Sequence, residues 1–484
     1  MKKLLYVFLS VVFGIIPLFF GSACHLQTKV SSKYEITAEY MEDSATLTGT
    51  VKITFENVYD NAFTVLKFQL YPNAYRKDAL IKPIAAAYES AAYYKGKNYG
   101  EMVISSVHGA KNWEVLGEDE NVLYVYLERP LYTGEQVVLD IGFLLKLACV
   151  NHRTGITENT VNLGNFFPIL CGIKNGAFVE CTYQPLGDPF YSDCADYKVS
   201  ITLPKEYSVA ATGECMEERT LERKTVYEYS AKNSRDFALV LSRKYMRKEN
   251  VVHGKKIIYY YYDEENAEEI VETASEAFAY YEKVFGAYPY ATYTLAQTGL
   301  CFTGVEYPSL TMISDKLTKE ELTRTVAHET AHQWWYGVVG NDAVTNAWQD
   351  EGLAEYSTIL FFERYEKYGY QREHMVQEFL QEYRSYYDVY GSVLGRTDTV
   401  MIRPLTEFVN DYEYRCIAYD KSVIMLDTLR KSIGDEKFVD GLKRYYKENA
   451  FKIATEENLI GAFERCGLDV RGYFESFFYG KAVL

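Results

Sequence analysis

The chain has 484 residues, of which 48% are hydrophobic and 24% charged. This is long enough for two or three domains, and the composition is that of a globular protein rather than of a disordered or multi-span membrane protein. The net charge of −16 argues against nucleic acid as a partner, because binding phosphates requires a basic face.

The N-terminal residues resemble an export signal. Two lysines precede an apolar run over residues 4–20, and small residues then lead to Cys24. This is similar to a bacterial lipobox, with Gly21 where that motif usually has Leu. Cleavage with lipid attachment at Cys24 and retention as an uncleaved anchor both stay open, since the run approaches the length of a membrane span. We expect residues 1–24 to be a signal peptide or membrane anchor that holds an exported protein at the extracellular face of the cell membrane.

A β-rich half follows this segment. Apolar and polar residues alternate in short stretches separated by turn residues, for example over 46–55, 122–127 and 197–203. Alternation of this kind predicts strands with one buried face. We predict that residues 31–245 form an N-terminal antiparallel β-sandwich-like domain. Eight cysteines follow Cys24, and those at 171, 181 and 194 are candidates either for a disulfide or for buried thiols.

The second half has mainly helical patterns. The charged stretch 243–256 loses the alternation and is taken as the domain boundary. Helices are predicted over 268–285, 319–337, 351–368 and 419–432, with a short strand-rich insert over 293–313. We expect residues 258–484 to form a catalytic domain that runs from mixed α/β into all-helical structure, and the fold class to be multidomain α+β.

A metal-binding motif lies in the second predicted helix. Residues 328–332 read HExxH, and a capping box formed by Thr318 and Glu321 predicts the start of that helix. Residues four apart share a helix face, so His328 and His332 can bind the same zinc ion while Glu329 faces its open position. HExxH alone also arises by chance, and the assignment depends on a third ligand.

Glu351 is the predicted third ligand. It lies 19 residues beyond His332 in the run WQDEGLAEY, at the start of the next predicted helix. We predict one Zn²⁺ per chain held by His328, His332 and Glu351, with Glu329 as the general base that activates a water. Asp350 and Glu355 are candidate partners for a ligand imidazole, with Glu355 better placed, or else surface charges.

These motifs resemble the aminopeptidase N family of gluzincins, which includes leukotriene hydrolase. The resemblance implies a thermolysin-like catalytic domain and a zinc aminopeptidase. Residues 303–308 (TGVEYP) are similar to the family's GxMEN motif, which implies that Glu306 binds the free α-amine of the substrate and that Gly304 belongs to the substrate site. Thr303, Val305 and Tyr307 depart from the commonest form of that motif, and a Gly-x-Glu alone is common in strand-turn regions.

A further match lies near the C-terminal end of the chain. Residues 418–422 (AYDKS) are similar to the family's YxKG segment, which implies that Tyr419 stabilises the oxyanion, with Ser422 in place of Gly. A buried core tyrosine is the alternative, since the chain has 46 tyrosines. In the β domain, 151–153 (NHR) and 165–168 (NFFP) are also similar to segments of bacterial members.

The sequence therefore predicts an exported zinc aminopeptidase that acts on peptides with a free N-terminus. Nucleic acid is not expected as a partner, and membrane association is expected through the N-terminal segment only. Two alternatives stay open: a zinc endopeptidase on the same fold, and a non-catalytic peptide-binding relative. The joint presence of all three ligands, Glu329 and Tyr419 argues against the second alternative.

Overall fold

The computed structural model describes residues 30–263, 265–395 and 397–482. The signal peptide or anchor expected over residues 1–24 lies outside the described residues. Within them, no helix is both long and apolar enough to cross a membrane. The eight described cysteines are free thiols, so the disulfide considered among residues 171, 181 and 194 is not formed in this structure.

The first half of the chain is built almost entirely of strands. Its elements are β1 (Ser32–Met41), β2 (Thr46–Glu56), β3 (Phe63–Gln69), α1 (Glu89–Ala92), β4 (Glu101–His108), β5 (Asn112–Leu116), β6 (Val122–Leu131), β7 (Gln136–Lys146), β8 (Thr154–Ile156), β9 (Val161–Leu163), β10 (Ile169–Leu170), β11 (Ile173–Lys174), β12 (Ala177–Phe178), β13 (Ala195–Pro204), β14 (Ser208–Ala211), β15 (Glu214–Thr220), β16 (Lys224–Ser234) and β17 (Leu239–Ser242).

These strands form a sandwich, as predicted. A seven-stranded sheet with the order β15-β16-β13-β1-β2-β7-β4 packs on a four-stranded sheet with the order β10-β3-β6-β5. The larger sheet is antiparallel except for the parallel pair of β1 and β13, in which Ser32 lies opposite Ala195. Buried residues such as Ile36 and Leu66, one from each sheet, belong to a single hydrophobic core. The alternating pattern forms these strands because one face of each sheet is buried.

The second half is a mixed sheet followed by helices. Its elements are β18 (Met246–Val252), β19 (Lys255–Tyr261), α2 (Ala267–Val284), β20 (Thr292–Thr298), β21 (Gly304–Tyr307), β22 (Leu310–Ser314), α3 (Lys319–Ala331), β23 (Gly340–Asn341), α4 (Trp348–Arg364), α5 (Arg372–Leu394), α6 (Asp411–Arg415), α7 (Lys421–Ile433), α8 (Asp435–Asn449), β24 (Ile453–Ala454), α9 (Glu456–Glu464) and α10 (Arg471–Phe478).

The five-stranded sheet of this half has the order β18-β19-β20-β22-β21. Its three central strands are parallel, and β21 is an antiparallel edge strand in which Glu306 lies opposite Thr311. The helices pack with this sheet around a second hydrophobic core. The α+β fold class with a β-rich first half and a helical end is therefore confirmed.

The stretch taken as an irregular boundary, 243–256, differs from the prediction. It contains β18, which pairs antiparallel with β19 and forms one edge of the five-stranded sheet. The sequence pattern did not indicate this strand, because its residues are mostly exposed and charged. An edge strand can have such residues since it does not need an apolar face. The chain passes from one half to the other at 243–245, between β17 and β18.

The predicted helix over 319–337 was too long. α3 ends at Ala331, and the chain then turns so that Tyr336 has a positive φ of 115°. The buried side-chain amide of Gln333 ties this turn to the edge of the sheet. Its oxygen accepts from Ser309 N at 2.7 Å, and its nitrogen donates to Tyr307 O at 3.2 Å. The long helix α5 was missed because only Met375, Phe379, Tyr383 and Tyr386 form its buried stripe.

Candidate metal and peptide site

The helix that carries HExxH begins at the predicted capping box. Thr318 Oγ1 accepts from Glu321 N at 3.3 Å, and Glu321 Oε2 accepts from Thr318 N at 2.8 Å. These bonds satisfy the first amides of α3. His328 lies in the last turn and His332 is the C-cap residue, so both imidazoles lie on one face of the helix end.

The three predicted ligands meet at one point. One ligand atom from each of His328, His332 and Glu351 lies within 4.8 Å of the others. The two Nε2 atoms are 3.0 Å apart, and Glu351 Oε2 lies 3.4 Å from His328 Nε2 and 3.2 Å from His332 Nε2. The third ligand comes from the first turn of α4, which packs against α3.

The outer nitrogens of both imidazoles are held by other groups. His328 Nδ1 lies 2.8 Å from Glu355 Oε2, and His332 Nδ1 lies 3.0 Å from Trp335 O. Each contact leaves Nε2 free to face the metal point, as in zinc sites whose ligand histidines donate their second N–H outward. Asp350 instead accepts from Asn341 Nδ2 at 2.8 Å, so Glu355 is the partner of the imidazole.

The site fits a divalent cation. Glu351 Oε2 is buried without a hydrogen-bond donor, although a buried carboxylate oxygen normally has one. Two imidazole nitrogens and one carboxylate oxygen are the donor set of zinc sites that keep an open position. Burial alone would raise the pKa of Glu351, but the two histidines lower it, so this carboxylate is ionised as a metal ligand must be.

The carboxylate of Glu329 lies against the strand β21. A Cβ placed on Gly304 would come within 2.4 Å of Glu329 Oε1, so any side chain at this position would have to displace that carboxylate. Glu329 is 4% exposed and its Oε2 has no hydrogen-bond partner. Burial raises the pKa of Glu329 to about 7, which is the range in which a carboxylate is an effective proton acceptor.

Glu306, two residues after Gly304 in β21, is also buried and lines the same cavity as the metal ligands. Burial, followed by the nearby carboxylate of Asp188, raises the pKa of Glu306 well above its ordinary value. No cation among the described residues lies within ion-pair distance of Glu306. A cationic ligand is the group that would best stabilise this carboxylate in its charged form.

Tyr419 stands beside the metal ligands. Its ring stacks on the imidazole of His328, with centroids 6.1 Å apart and an angle of 20°. It belongs to a π-helical turn, Cys416–Asp420, between α6 and α7. Burial and then the carboxylate of Glu351 raise the pKa of Tyr419 well above its ordinary value, so the phenol stays protonated and can donate a hydrogen bond.

One cavity of ≈ 730 Å³ lies between the two halves of the chain and is lined by the three candidate ligands and by Gly304, Glu306, Glu329, Glu355 and Tyr419. Its other wall comes from the β domain and includes Tyr88, Arg153, Gln184 and Asp188. Arg153 Nη1 bonds to Asp188 Oδ1, and both side chains are largely buried. Sequence reasoning gave none of these a role, because each lies more than 100 positions from HExxH, without a motif that indicates a metal site.

Known proteins match this part of the chain. The model of the Peptidase family M1 domain matches residues 270–477. This region is similar to a peptidase family M1 domain. The match includes the three candidate ligands, Glu306 and Tyr419, and it begins within α2.

Several of the curated proteins that are similar to this region are named aminopeptidases. The chain is 28% identical over 151 residues to aminopeptidase M1-D of Oryza sativa subsp. japonica, covering 31% of this chain and 17% of that protein. It is 25% identical over 181 residues to human endoplasmic reticulum aminopeptidase 2, covering 36% of this chain and 17% of that protein. The matched part thus spans about a sixth of the length of these relatives.

Solved structures share the fold over nearly the whole chain. The M1 zinc metallopeptidase from Deinococcus radiodurans superposes with a TM-score of 0.62 and 17% identity, covering 94% of each chain. A variant of that protein bound to the peptide Tyr-Ser-Ala gives the same TM-score with 18% identity. The M1 domain and the β domain before it therefore occur together in that structure also.

Proposed function

We propose that the protein is a zinc aminopeptidase that hydrolyses the N-terminal peptide bond of peptides. The observation that carries this proposal is the buried carboxylate of Glu306 in the same cavity as His328, His332 and Glu351. An ammonium group would stabilise this carboxylate in its charged form. Because Glu306 shares the cavity with the metal ligands, that pairing would bring a free N-terminus close to the bond to be cleaved. The M1 match and the aminopeptidase relatives support the same activity.

His328, His332 and Glu351 would hold one Zn²⁺ ion. When bound, the ion supplies Lewis-acid chemistry that polarises a carbonyl and makes a water nucleophilic at neutral pH. The protein holds the two imidazole nitrogens and the carboxylate oxygen close together on the wall of the cavity. Glu355 and the carbonyl of Trp335 fix the direction of the two imidazoles.

Three further side chains would act on the peptide. Glu306 binds the α-ammonium and so sets the cleavage point one residue from the N-terminus. The buried carboxylate of Glu329 accepts a proton from the attacking water and delivers it to the leaving amine. The phenol of Tyr419 donates a hydrogen bond to the oxygen on which negative charge develops.

The test is a panel of aminoacyl reporter substrates beside N-acetylated peptides, each with and without a chelator. We expect cleavage of the free-amine substrates only, with activity lost in chelator and restored by Zn²⁺. Glu306→Gln should raise KM for free-amine substrates strongly, because the neutral amide no longer compensates the ammonium charge. Cleavage of blocked peptides only would establish the endopeptidase alternative.

We also propose that the protein is exported and held at the extracellular face of the membrane through its first 24 residues. The apolar run 4–20 after two lysines and the small residues before Cys24 support this. Mass spectrometry of the mature N-terminus distinguishes the two forms. A lipid-modified Cys24 that disappears in Cys24→Ala supports lipidation, an intact Met1 supports an uncleaved anchor, and an unprocessed protein in the cytosolic fraction contradicts export.

A further inference from the structure

One segment of the β domain reaches the peptide cavity. Residues 83–93, which we call the strap, include α1, and five of them line the cavity together with Glu306: Pro83, Ile84, Ala85, Tyr88 and Ala91. Buried Ile84 and Ala92 pack the strap onto a small core of their own, against which Tyr88 and Cys301 also pack. The strap is therefore a fixed part of the cavity wall.

The base of the strap is tied to the segment that leads into β21. Asn151 donates from its backbone N to Ala92 O at 2.9 Å and from Nδ2 to Ala91 O at 3.0 Å. The carbonyl of the same residue accepts from Cys301 N at 3.0 Å. Since β21 begins at Gly304 and carries Glu306, one residue holds both the strap and the approach to the predicted amine site.

Tyr88, at the tip of the strap, contacts the first residue of α6. Tyr88 Oη donates to Asp411 Oδ2 at 2.9 Å, a contact between residues 323 positions apart. Asp411 begins α6, which leads into the turn that carries Tyr419. In the described part of the chain, no Lys, Arg or His nitrogen lies within 4 Å of the Asp411 carboxylate, so the phenol of Tyr88 is its charge-neutral partner.

The strap lines the same cavity as Glu306 and the three candidate metal ligands. A peptide held by its amine at Glu306, with its first carbonyl at the metal point, would place its first side chain in this cavity. Cys301 and Phe302, just before β21, line the cavity together with Tyr88, and Tyr88 and Cys301 pack against the same small core. Asp411 lines the same cavity, as do the carboxylates of Asp188, Glu321, Glu355 and Asp420, and of these Asp411 is the one that accepts a hydrogen bond from the strap.

We propose that Tyr88 determines the specificity of the enzyme through its hydrogen bond to Asp411. With that bond in place, the cavity favours peptides with an apolar first residue over those that begin with Arg or Lys. This inference rests on the proposed aminopeptidase function. The hydrogen bond from Tyr88 to Oδ2 takes up part of the acceptor capacity of this carboxylate, so Asp411 attracts a cationic side chain less strongly than a carboxylate without that bond. Arg415 also lines the cavity, where its Nε lies 4.0 Å from Asp420 Oδ1, so its positive charge is paired with that carboxylate.

The experiment compares kcat/KM for leucyl and arginyl reporter amides. The wild type should prefer the leucyl substrate. Tyr88→Phe keeps the ring but frees Asp411, and should raise the arginyl-to-leucyl ratio about tenfold. Adding Asp411→Asn to that variant should return the ratio to the wild-type value. Tyr94→Phe is the matched control, since its hydroxyl bonds to Ile156 O outside the cavity, and it should leave the ratio unchanged.

Thermal unfolding and zinc content are measured for each variant, so that a misfolded protein is not scored. A wild type that prefers the arginyl substrate overturns the inference. So does an unchanged ratio in folded, zinc-loaded Tyr88→Phe, while leucyl cleavage by the wild type leaves the aminopeptidase proposal standing. If the wild type cleaves neither reporter, the aminopeptidase proposal and this inference both fall.

Discussion

Replacing Glu355 by Gln perturbs the proposed zinc site without touching a ligand. The carboxylate of Glu355 lies 2.8 Å from His328 Nδ1 and 3.4 Å from Arg324 Nη2, and 12% of its side chain is exposed. Burial alone would raise the pKa of Glu355, but the imidazole of His328 beside it lowers it, so the group is an anion in the folded protein. Glutamine keeps the shape and one acceptor but removes the charge.

The expected cost follows from that geometry. A carboxylate on the outer nitrogen of a ligand imidazole makes the inner nitrogen a stronger donor, and losing such partners lowers metal affinity about 10- to 100-fold. Because glutamine still accepts a hydrogen bond, we expect the lower end, about tenfold or about 1.4 kcal/mol. Arg324 is 33% exposed on its side chain and can be solvated, so it adds little.

Zinc affinity is measured by competition with a chelator of known affinity on the purified protein. Glu378→Gln is the matched control, because Glu378 Oε2 lies 3.9 Å from Arg324 Nη1 and its side chain is 65% exposed. We expect the control to bind zinc as the wild type does. Equal affinity in Glu355→Gln and the wild type would show that this carboxylate does not support the metal ligand, and the argument from the outer contacts would be wrong.

Two further predictions concern the proposed general base, Glu329, and a buried carboxyl group of the β domain, Asp236. Gly304→Ala places a methyl group 2.4 Å from Glu329 Oε1, so kcat should fall roughly 100-fold while zinc content stays unchanged, and an unaltered kcat would contradict the assigned role of Glu329. Burial raises the pKa of Asp236 from 3.8 to about 7, so the folded state keeps a proton that the unfolded state releases, and stability falls as pH rises through this window. Urea unfolding between about pH 5 and about pH 6.5 should show the wild type losing up to about 1.4 kcal/mol per pH unit more than Asp236→Asn, and parallel profiles would contradict this.

The metal triad could be predicted because its pattern is local. Helix geometry turns the spacing of His328 and His332 into a shared face, and the capping box fixes where that helix begins. Glu351 followed from its position at the start of the next apolar pattern. Glu306 and Tyr419 came from family resemblance, and the structure places both at the same cavity. Their roles toward substrate stay predictions.

The wall of the cavity that the β domain contributes could not be predicted, because no local sequence pattern encodes it. Tyr88 meets Asp411 across 323 positions, and Arg153 bonds to Asp188 inside a β domain whose sequence indicates only strands and turns. The end of α3 was equally hidden, since it depends on the amide of Gln333 bonding to a strand edge more than 20 positions earlier. Contacts between distant segments decide these features.

The guanidinium of Arg235 has a consequence for how the molecule unfolds. This β-domain side chain donates to Tyr336 O and to Lys452 O, both at 3.1 Å, and lies over Gly340. It also donates to Ser192 O in its own domain at 2.8 Å. Separating the halves would break both hydrogen bonds that Arg235 makes to the second half, together with the packing around them, so the two halves are expected to unfold together. A single cooperative calorimetric transition for the whole chain is the expected behaviour.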